Sequence, residues 1–212
     1  YWKKDQFGNE LPFLGSVLMT YAANKRSELI AFRSGKIDLV LEIPADEVKN
    51  VLGSLSEAQA GKNIKHKVDA QASYSLAFLG FQHKHPTLKD MRVRQAINLA
   101  IDRASIVNNE LQGDGYPIEN GIIPSALQPT AYKVKGYKTT IPLAQQLLKK
   151  AGYENGENFP VLTIIVNDKK GSDKHKLVAA IVKQLKRNLN IQVKIKLVDL
   201  ATRNQLVENG TA

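Results

Sequence analysis

The sequence predicts an α/β fold: a βαβ unit in a mixed sheet packed by helices. Three observations carry that prediction. "VLTIIV" over 161–166 is an apolar run of strand length, which suits a strand buried on both faces. A helical stripe follows at Val178, Ile181, Val182, Leu185 and Leu189, with Lys183, Lys186 and Arg187 opposite. "IQVKIKLV" then alternates, with Ile191, Val193, Ile195 and Leu197 inward and Gln192, Lys194 and Lys196 outward. Strand, helix and strand over this length imply parallel strands joined by a right-handed crossover. The outward lysines suit a strand near a sheet edge.

The elements before this unit follow in order. Residues 1–21 read as irregular, with a turn at Gly8-Asn9 and a Pro at 12, leading to a strand in "SVLMTYA". Asn24 can cap a helix over 24–33, where Leu29, Ile30 and Phe32 supply a partial apolar face and Gly35 stops the pattern. "IDLVLEI" reads as a buried strand ended by Pro44. Asp46 is placed as the cap of a short helix, "EVKNVLGSL", whose Val48, Val51 and Leu52 share a face. A polar loop, "SEAQAGKNIK", precedes two strand candidates, "KHKVDAQ" and "SYSLAFLGF".

The stretch "DMRVRQAINLAIDRASIV" poses a choice between a basic gripping element and a structural wall. Val93, Ala96, Ile97, Ala100 and Ile101 fall on one helical stripe. Burying the larger of these stabilises by about 1.5–3 kcal/mol each. An exposed ion pair from Arg92 or Arg94 gives only about 0–1 kcal/mol. The stripe therefore decides where the helix sits, and the arginines form its rim. Asp102 reads as the cap of a second helix, "RASIVNNEL". "GYPIENGIIPSALQP" is a Gly- and Pro-rich loop. Pro142 suits the first turn of the helix "LAQQLLKKAGY", which Gly152 ends. Ser172 or Asp173 can cap the long helix, about 173–189, and a last short helix is placed in "ATRNQLVE".

Composition narrows the function classes. With 212 residues, the chain has room for one or two domains. It has no cysteine, which removes disulfides, zinc–thiolate sites and cysteine nucleophiles. No apolar run reaches the length of a membrane span. The net charge of +10 raises a basic nucleic-acid or anionic-surface binding domain as an alternative. Its lysines are spread along the chain and its aromatics do not interleave with them, which reads as solvated surface and no nucleic-acid partner. His83 and His85 flank a single residue, but no third ligand shares their spacing, so no metal is expected. There is no phosphate loop and no nucleophile elbow. An enzyme is not expected, nor a cofactor.

Five segments together resemble the extracellular solute-binding proteins of family 5, the peptide- and nickel-binding components of ABC importers. "YWKKDQFGNELPFL" looks like that family's Tyr-Trp…Gly-Asn-x-Leu-Pro segment, and "FRSGKIDLVLEIP" like its Gly, Ile-Asp and strand segment. "LGFQHKHPTLKDMRVRQAINLAIDRASIV" is similar to its strand, Pro-x-x-Asp turn and Val-Arg-Gln-Ala-Ile-x-x-Ala-Ile-Asp-Arg helix. "GIIPSALQP" resembles its Ile-Pro-Pro loop, with Ser125 where a second Pro is usual. "AQQLLKKAGYENGENFPVLTIIV" resembles its Ala-x-x-Leu-Leu-x-x-Ala-Gly-Tyr helix and the strand after it. The segments come in the family's order over nearly the whole chain.

The resemblance implies a periplasmic binding protein-like fold of type II, peptide-binding class, present here as a fragment. Residues 1–74 would be the tail of a first lobe and 75–212 the first portion of a second, with the C-terminal crossover strand outside the sequence. It implies a substrate-binding component that takes oligopeptides, dipeptides or a similar small solute in the periplasm and hands it to ABC permease subunits. It implies a monomer, periplasmic or extracytoplasmic, with a lipid anchor compatible with an N-terminus beyond this stretch. Carried over residue by residue, the ligand-binding candidates are Tyr74 on the crossing strand, Ile123 and Pro124 in the loop bordering the cleft, and His175 early in the long helix. Each has a plainer reading: a packed strand aromatic, a turn former, an exposed first-turn residue. Leu200 stands where the family often carries a Trp, which leaves the ligand class open.

Overall fold

A computed structural model of the chain describes residues 2–22, 24–62, 66–67, 69, 74–124, 127 and 136–210. The chain forms two compact units, Tyr1–Ile43 and Pro44–Ala212.

In the first unit, the Asp5 carboxylate accepts hydrogen bonds from the backbone N–H groups of Phe7 and Asn9 at 2.8 and 2.9 Å. This closes a turn whose ends meet in an antiparallel bridge between Lys4 and Glu10. Helix α1 (Lys25–Arg33) starts where expected, with the Asn24 side chain accepting from Ser27 N–H at 2.9 Å. Leu29 is its buried anchor. Lys25 lies between Glu28 and Glu42, at 3.2 and 3.3 Å. The two strands expected here do not form. "SVLMTYA" and "IDLVLEI" carry no ladder, and Leu18, Leu39 and Leu41 are exposed. Alternating apolar residues define a face, but a strand also needs a neighbour to take its N–H and C=O groups.

The second unit begins with α2 (Ala45–Leu52) and α3 (Leu55–Gln59). Val48, Val51, Leu52 and Ala58 are buried. Pro44, not Asp46, stands at the cap of α2, and Asp46 occupies the first turn, where its charge still suits the helix dipole. Asp46 and Asp173 both bind Lys176, at 3.1 and 3.4 Å. "KHKVDAQ" falls largely outside the described residues. From Tyr74 to Phe81 the chain is without regular structure, so "SYSLAFLGF" is not a strand. Leu79 and Phe81 nonetheless pack on the main core.

That core is built by α4 (Met91–Leu99), α5 (Arg103–Glu110), α6 (Ile141–Lys150) and α7 (Asp173–Leu189). The predicted stripe of α4 is its centre: Val93, Ala96 and Ala100 are fully buried and Ile97 is 1% exposed. The two arginines are rim, as expected. Arg92 pairs with Asp90 at 2.7 Å and donates to the Lys150 carbonyl at 2.6 Å. Arg94 donates to the carbonyls of Leu88 and Lys89 at 2.7 and 2.8 Å. Each thus satisfies carbonyls that a helix or turn leaves open at its C-terminal end. The Arg92–Lys150 contact joins the start of α4 to the end of α6. The Thr140 N–H to Leu99 carbonyl bond joins the end of α4 to the start of α6. The two helices therefore run antiparallel.

The βαβ unit is present. Strands β1 (Leu162–Val166) and β2 (Val193–Leu197) pair in parallel, with Leu162 opposite Val193 and Val166 opposite Leu197. Helix α7 is the crossover, capped by Ser172, whose hydroxyl accepts from His175 N–H at 3.2 Å. Strand β1 is less enclosed than its composition predicts: Leu162 and Val166 are buried while Thr163 is exposed. The inner face of α7 also differs. Ile181, Leu185 and Leu189 are buried, but Val178 and Val182 are only half-buried, and Gln184 and Asn188 share the buried side. Helix α8 (Leu200–Asn209) follows, capped by Asp199. No helix among the described residues is long and apolar enough to cross a membrane.

Candidate functional site

The four candidate ligand contacts stand on three separate stretches of the second unit. Tyr74 sits at a bend and is 68% exposed. An exposed aromatic that size offers a stacking face and a hydroxyl to a ligand. Ile123 and Pro124 close the long loop after α5. Ile123 is 47% exposed, and the Pro124 carbonyl accepts from Leu127 N–H at 2.8 Å. Ser125, the departure from the family's loop, lies outside the described residues.

His175 is in the first turn of α7 and half-buried. Its Nδ1 accepts from Gly171 N–H at 3.3 Å, which fixes the ring over the turn preceding the helix. That bond needs a lone pair on Nδ1, so the proton of the neutral ring sits on Nε2. The ring therefore presents a donor on its other side.

Other pairings weighed from sequence resolve differently. His83 is exposed, and His85 is half-buried with Nδ1 lacking a hydrogen-bond partner. Among the described residues no group of three His, Cys, Asp or Glu is placed to hold a metal ion. A small depression of about 140 Å³ lies at the C-terminal ends of α6 and α7, lined by Gln145, Asn155, Arg187 and Asn190 among others. It is smaller than the ~300–1,000 Å³ usual for a small-molecule site, and none of the four candidates lines it.

What sequence reasoning missed is a polar clamp at the corner between α4 and α5. Gln184 Oε1 accepts from Asp102 N–H at 2.7 Å, and its Nε2 donates to the Asp102 carbonyl at 3.2 Å. Asn188 Nδ2 donates to the Ala100 carbonyl at 2.7 Å, and Thr139 Oγ1 to the Ile101 carbonyl at 2.8 Å. The α4–α5 corner has several backbone groups that no helix ladder satisfies, and these side chains supply the partners. The available signal was the i, i+4 spacing of Gln184 and Asn188 on the flank of an apolar stripe.

Comparison with known proteins then places the chain. Residues 1–212 match the family described as bacterial extracellular solute-binding proteins, family 5, middle region. The chain belongs to that family. An oligopeptide-binding protein, AppA of Bacillus subtilis, is 25% identical over 206 residues, covering 92% of this chain and 36% of AppA. The structure of AppA in complex with a nonapeptide superposes with a TM-score of 0.64 at 23% identity, over 86% of this chain and 36% of that one. The periplasmic binding protein DppA of Helicobacter pylori, in complex with the peptide STSA, gives a TM-score of 0.67 at 24% identity, over 87% of this chain and 33% of that one. The fold is thus that of the type II periplasmic binding proteins. The chain spans about a third of the length of these relatives.

Proposed function

We propose that the whole protein is the substrate-binding component of an ABC importer, taking up short peptides or a similar small solute outside the cytoplasm and delivering it to the permease. The observation that carries this reading is the match of the full 1–212 stretch to family 5, together with relatives named for peptide binding. In this reading residues 1–74 belong to one lobe and 75–212 to the other. Tyr74, Ile123, Pro124 and His175 face the solute. No covalent step is involved. The two lobes close on the solute, and direct and water-mediated hydrogen bonds to its backbone hold peptides of varied sequence. A lipid anchor would keep such a receptor near its permease.

The direct experiment is native mass spectrometry of the full-length protein purified without denaturant. Retention of peptides of mixed sequence and narrow length range is the expected result. A preparation that carries no peptide and takes up none on incubation with a peptide mixture contradicts the reading.

A further inference from the structure

Three asparagines of the chain are followed by glycine: Asn120–Gly121, Asn155–Gly156 and Asn209–Gly210. The pair has a chemistry of its own. The asparagine carboxamide is an electrophile at Cγ. The next backbone nitrogen, once it has given up its proton, is a nucleophile that closes a five-membered ring on it. Glycine has no Cβ to hinder the approach, and its backbone turns freely into the geometry required. In sequence the three steps are equivalent; in the fold they are not.

Exposure does not separate them, since Asn120, Asn155 and Asn209 are all exposed. The state of the glycine N–H does. Gly156 N–H donates to the Tyr153 carbonyl at 3.1 Å. The Asn155 carbonyl accepts from Asn190 Nδ2 at 2.9 Å, and a Cβ on Gly156 would lie 2.6 Å from the Leu189 carbonyl oxygen. That turn is wedged against the end of α7. Gly210 N–H donates to the Val207 carbonyl at 3.1 Å, as the cap of α8. At both places the nitrogen must lose its acceptor, and the main chain must leave a turn, before it reaches the side chain beside it.

Asn120 and Gly121 stand in the loop after α5, in a stretch with no helix or strand, and both are exposed. Neither the Asn120 carboxamide nor the Gly121 N–H bonds any described residue. No hydrogen bond has to break before the ring closes. A solvent-facing stretch without a ladder opens at little free energy, whereas a capped or wedged turn opens only with part of the scaffold.

We propose that Asn120 is a site of spontaneous deamidation and isoaspartate formation, set apart from the other two Asn–Gly steps by the free N–H of Gly121. Gly121 N loses its proton to hydroxide and bonds to Asn120 Cγ. The Cγ–Nδ2 bond breaks, and Nδ2 takes a proton from water and leaves as ammonia, which restores the hydroxide. Water then opens the cyclic imide at one of its two carbonyls. Opening at Cγ gives aspartate. Opening at the main-chain carbonyl gives isoaspartate, whose backbone runs through Cβ and Cγ. No electrons change hands and no cofactor is needed. Either product adds a negative charge to the loop, and isoaspartate lengthens its main chain by a methylene just before Ile122, Ile123 and Pro124.

The test follows the three steps by peptide mapping and mass spectrometry. Full-length protein is aged in mildly alkaline buffer and, in parallel, in concentrated guanidinium chloride. Each conversion adds one mass unit, and isoaspartate separates from aspartate by its elution. In the folded protein Asn120 converts at least about tenfold faster than Asn155 and Asn209, because only the latter two must open first. In guanidinium chloride the three rates converge. Asn120→Gln removes the product at 120 from the folded protein, since glutamine would need a larger ring. Equal rates at the three steps in the folded protein overturn the proposal. So does an Asn120 that folding slows as much as it slows the other two.

Discussion

The side-chain amide of Asn188 donates to the Ala100 carbonyl at 2.7 Å, joining the end of α7 to the corner between α4 and α5. Four residues earlier, Gln184 bonds both the N–H and the carbonyl of Asp102. Gln145 of α6 donates to the Asn188 carbonyl at 3.0 Å. Side-chain amides thus join α7 to the α4–α5 corner and α6 to the end of α7.

Breaking this clamp is expected to cost more than its exposure to solvent suggests. Asn188→Ala and Gln184→Leu each strip partners from buried backbone groups, at about 1–3 kcal/mol. Lys183→Ala, on the opposite face of α7, should stay within about 0.5 kcal/mol. Urea unfolding of the three variants measures the contrast. Equal midpoints would mean that the corner is satisfied by water instead.

Gly156 and Gly152 allow a second comparison. Both have positive φ, +75° and +91°. A Cβ at 156 would lie 2.6 Å from the Leu189 carbonyl oxygen, whereas one at 152 meets nothing within 4 Å. Gly152→Ala is expected to cost about 1–2 kcal/mol for the backbone conformation alone. Gly156→Ala should exceed it, because the end of α7 must also shift. Thermal unfolding of the two variants gives the order.

These contacts show what was legible in the sequence and what was not. The stripe from Val93 to Ile101, the caps Asn24 and Asp102, and the strand–helix–strand order from 161 to 198 are local signals, and each element forms where they placed it, although Val178 and Val182 are only half-buried and Leu197 is exposed. Caps and stripes are read within one or two turns of chain. The strands expected at 16–22 and 37–43 failed because their ladders depend on a neighbour elsewhere. Gln184 and Asn188 were missed for a related reason. Their partners lie 82 and 88 residues away, and polar residues on the flank of an apolar stripe look like surface until the partner is known. Of the candidate site, the sequence offered residues one at a time, and the setting of His175 Nδ1 against Gly171 was not readable in advance.

Acid should act on the Asp90–Arg92 pair. Hydrogen bonding to the Arg92 guanidinium is the main cause that holds the Asp90 carboxyl below its ordinary 3.8, and the backbone N–H of Arg92 adds to it. A carboxylate with a lowered folded-state value contributes stability above the unfolded value, and that contribution is lost as pH falls from 3.8 toward the lowered value. The pair is partly exposed, so solvent screening keeps the effect small. Asp90→Asn should flatten the acid limb of a stability–pH profile below pH 4. An unchanged limb would show that Asp90 titrates alike in both states.

The proposed ligand contacts should separate affinity from stability. Tyr74→Ala removes a side chain that is 68% exposed, so unfolding should move by no more than about 0.5 kcal/mol. In the full-length protein the same change should weaken peptide binding by about tenfold, or ~1.4 kcal/mol. His175→Ala should behave alike, with a somewhat larger stability change because the ring also holds Gly171. Competition binding beside thermal unfolding reads both. Loss of stability without loss of affinity would return these residues to packing roles.

Isothermal titration of the full-length protein with defined peptides, from dipeptides to longer oligopeptides, tests the central claim most directly. The account predicts saturable one-to-one binding for at least one length class, with a negative heat-capacity change as the lobes close over the solute. Absence of binding heat across every length, at protein concentrations where micromolar affinity would register, would contradict it.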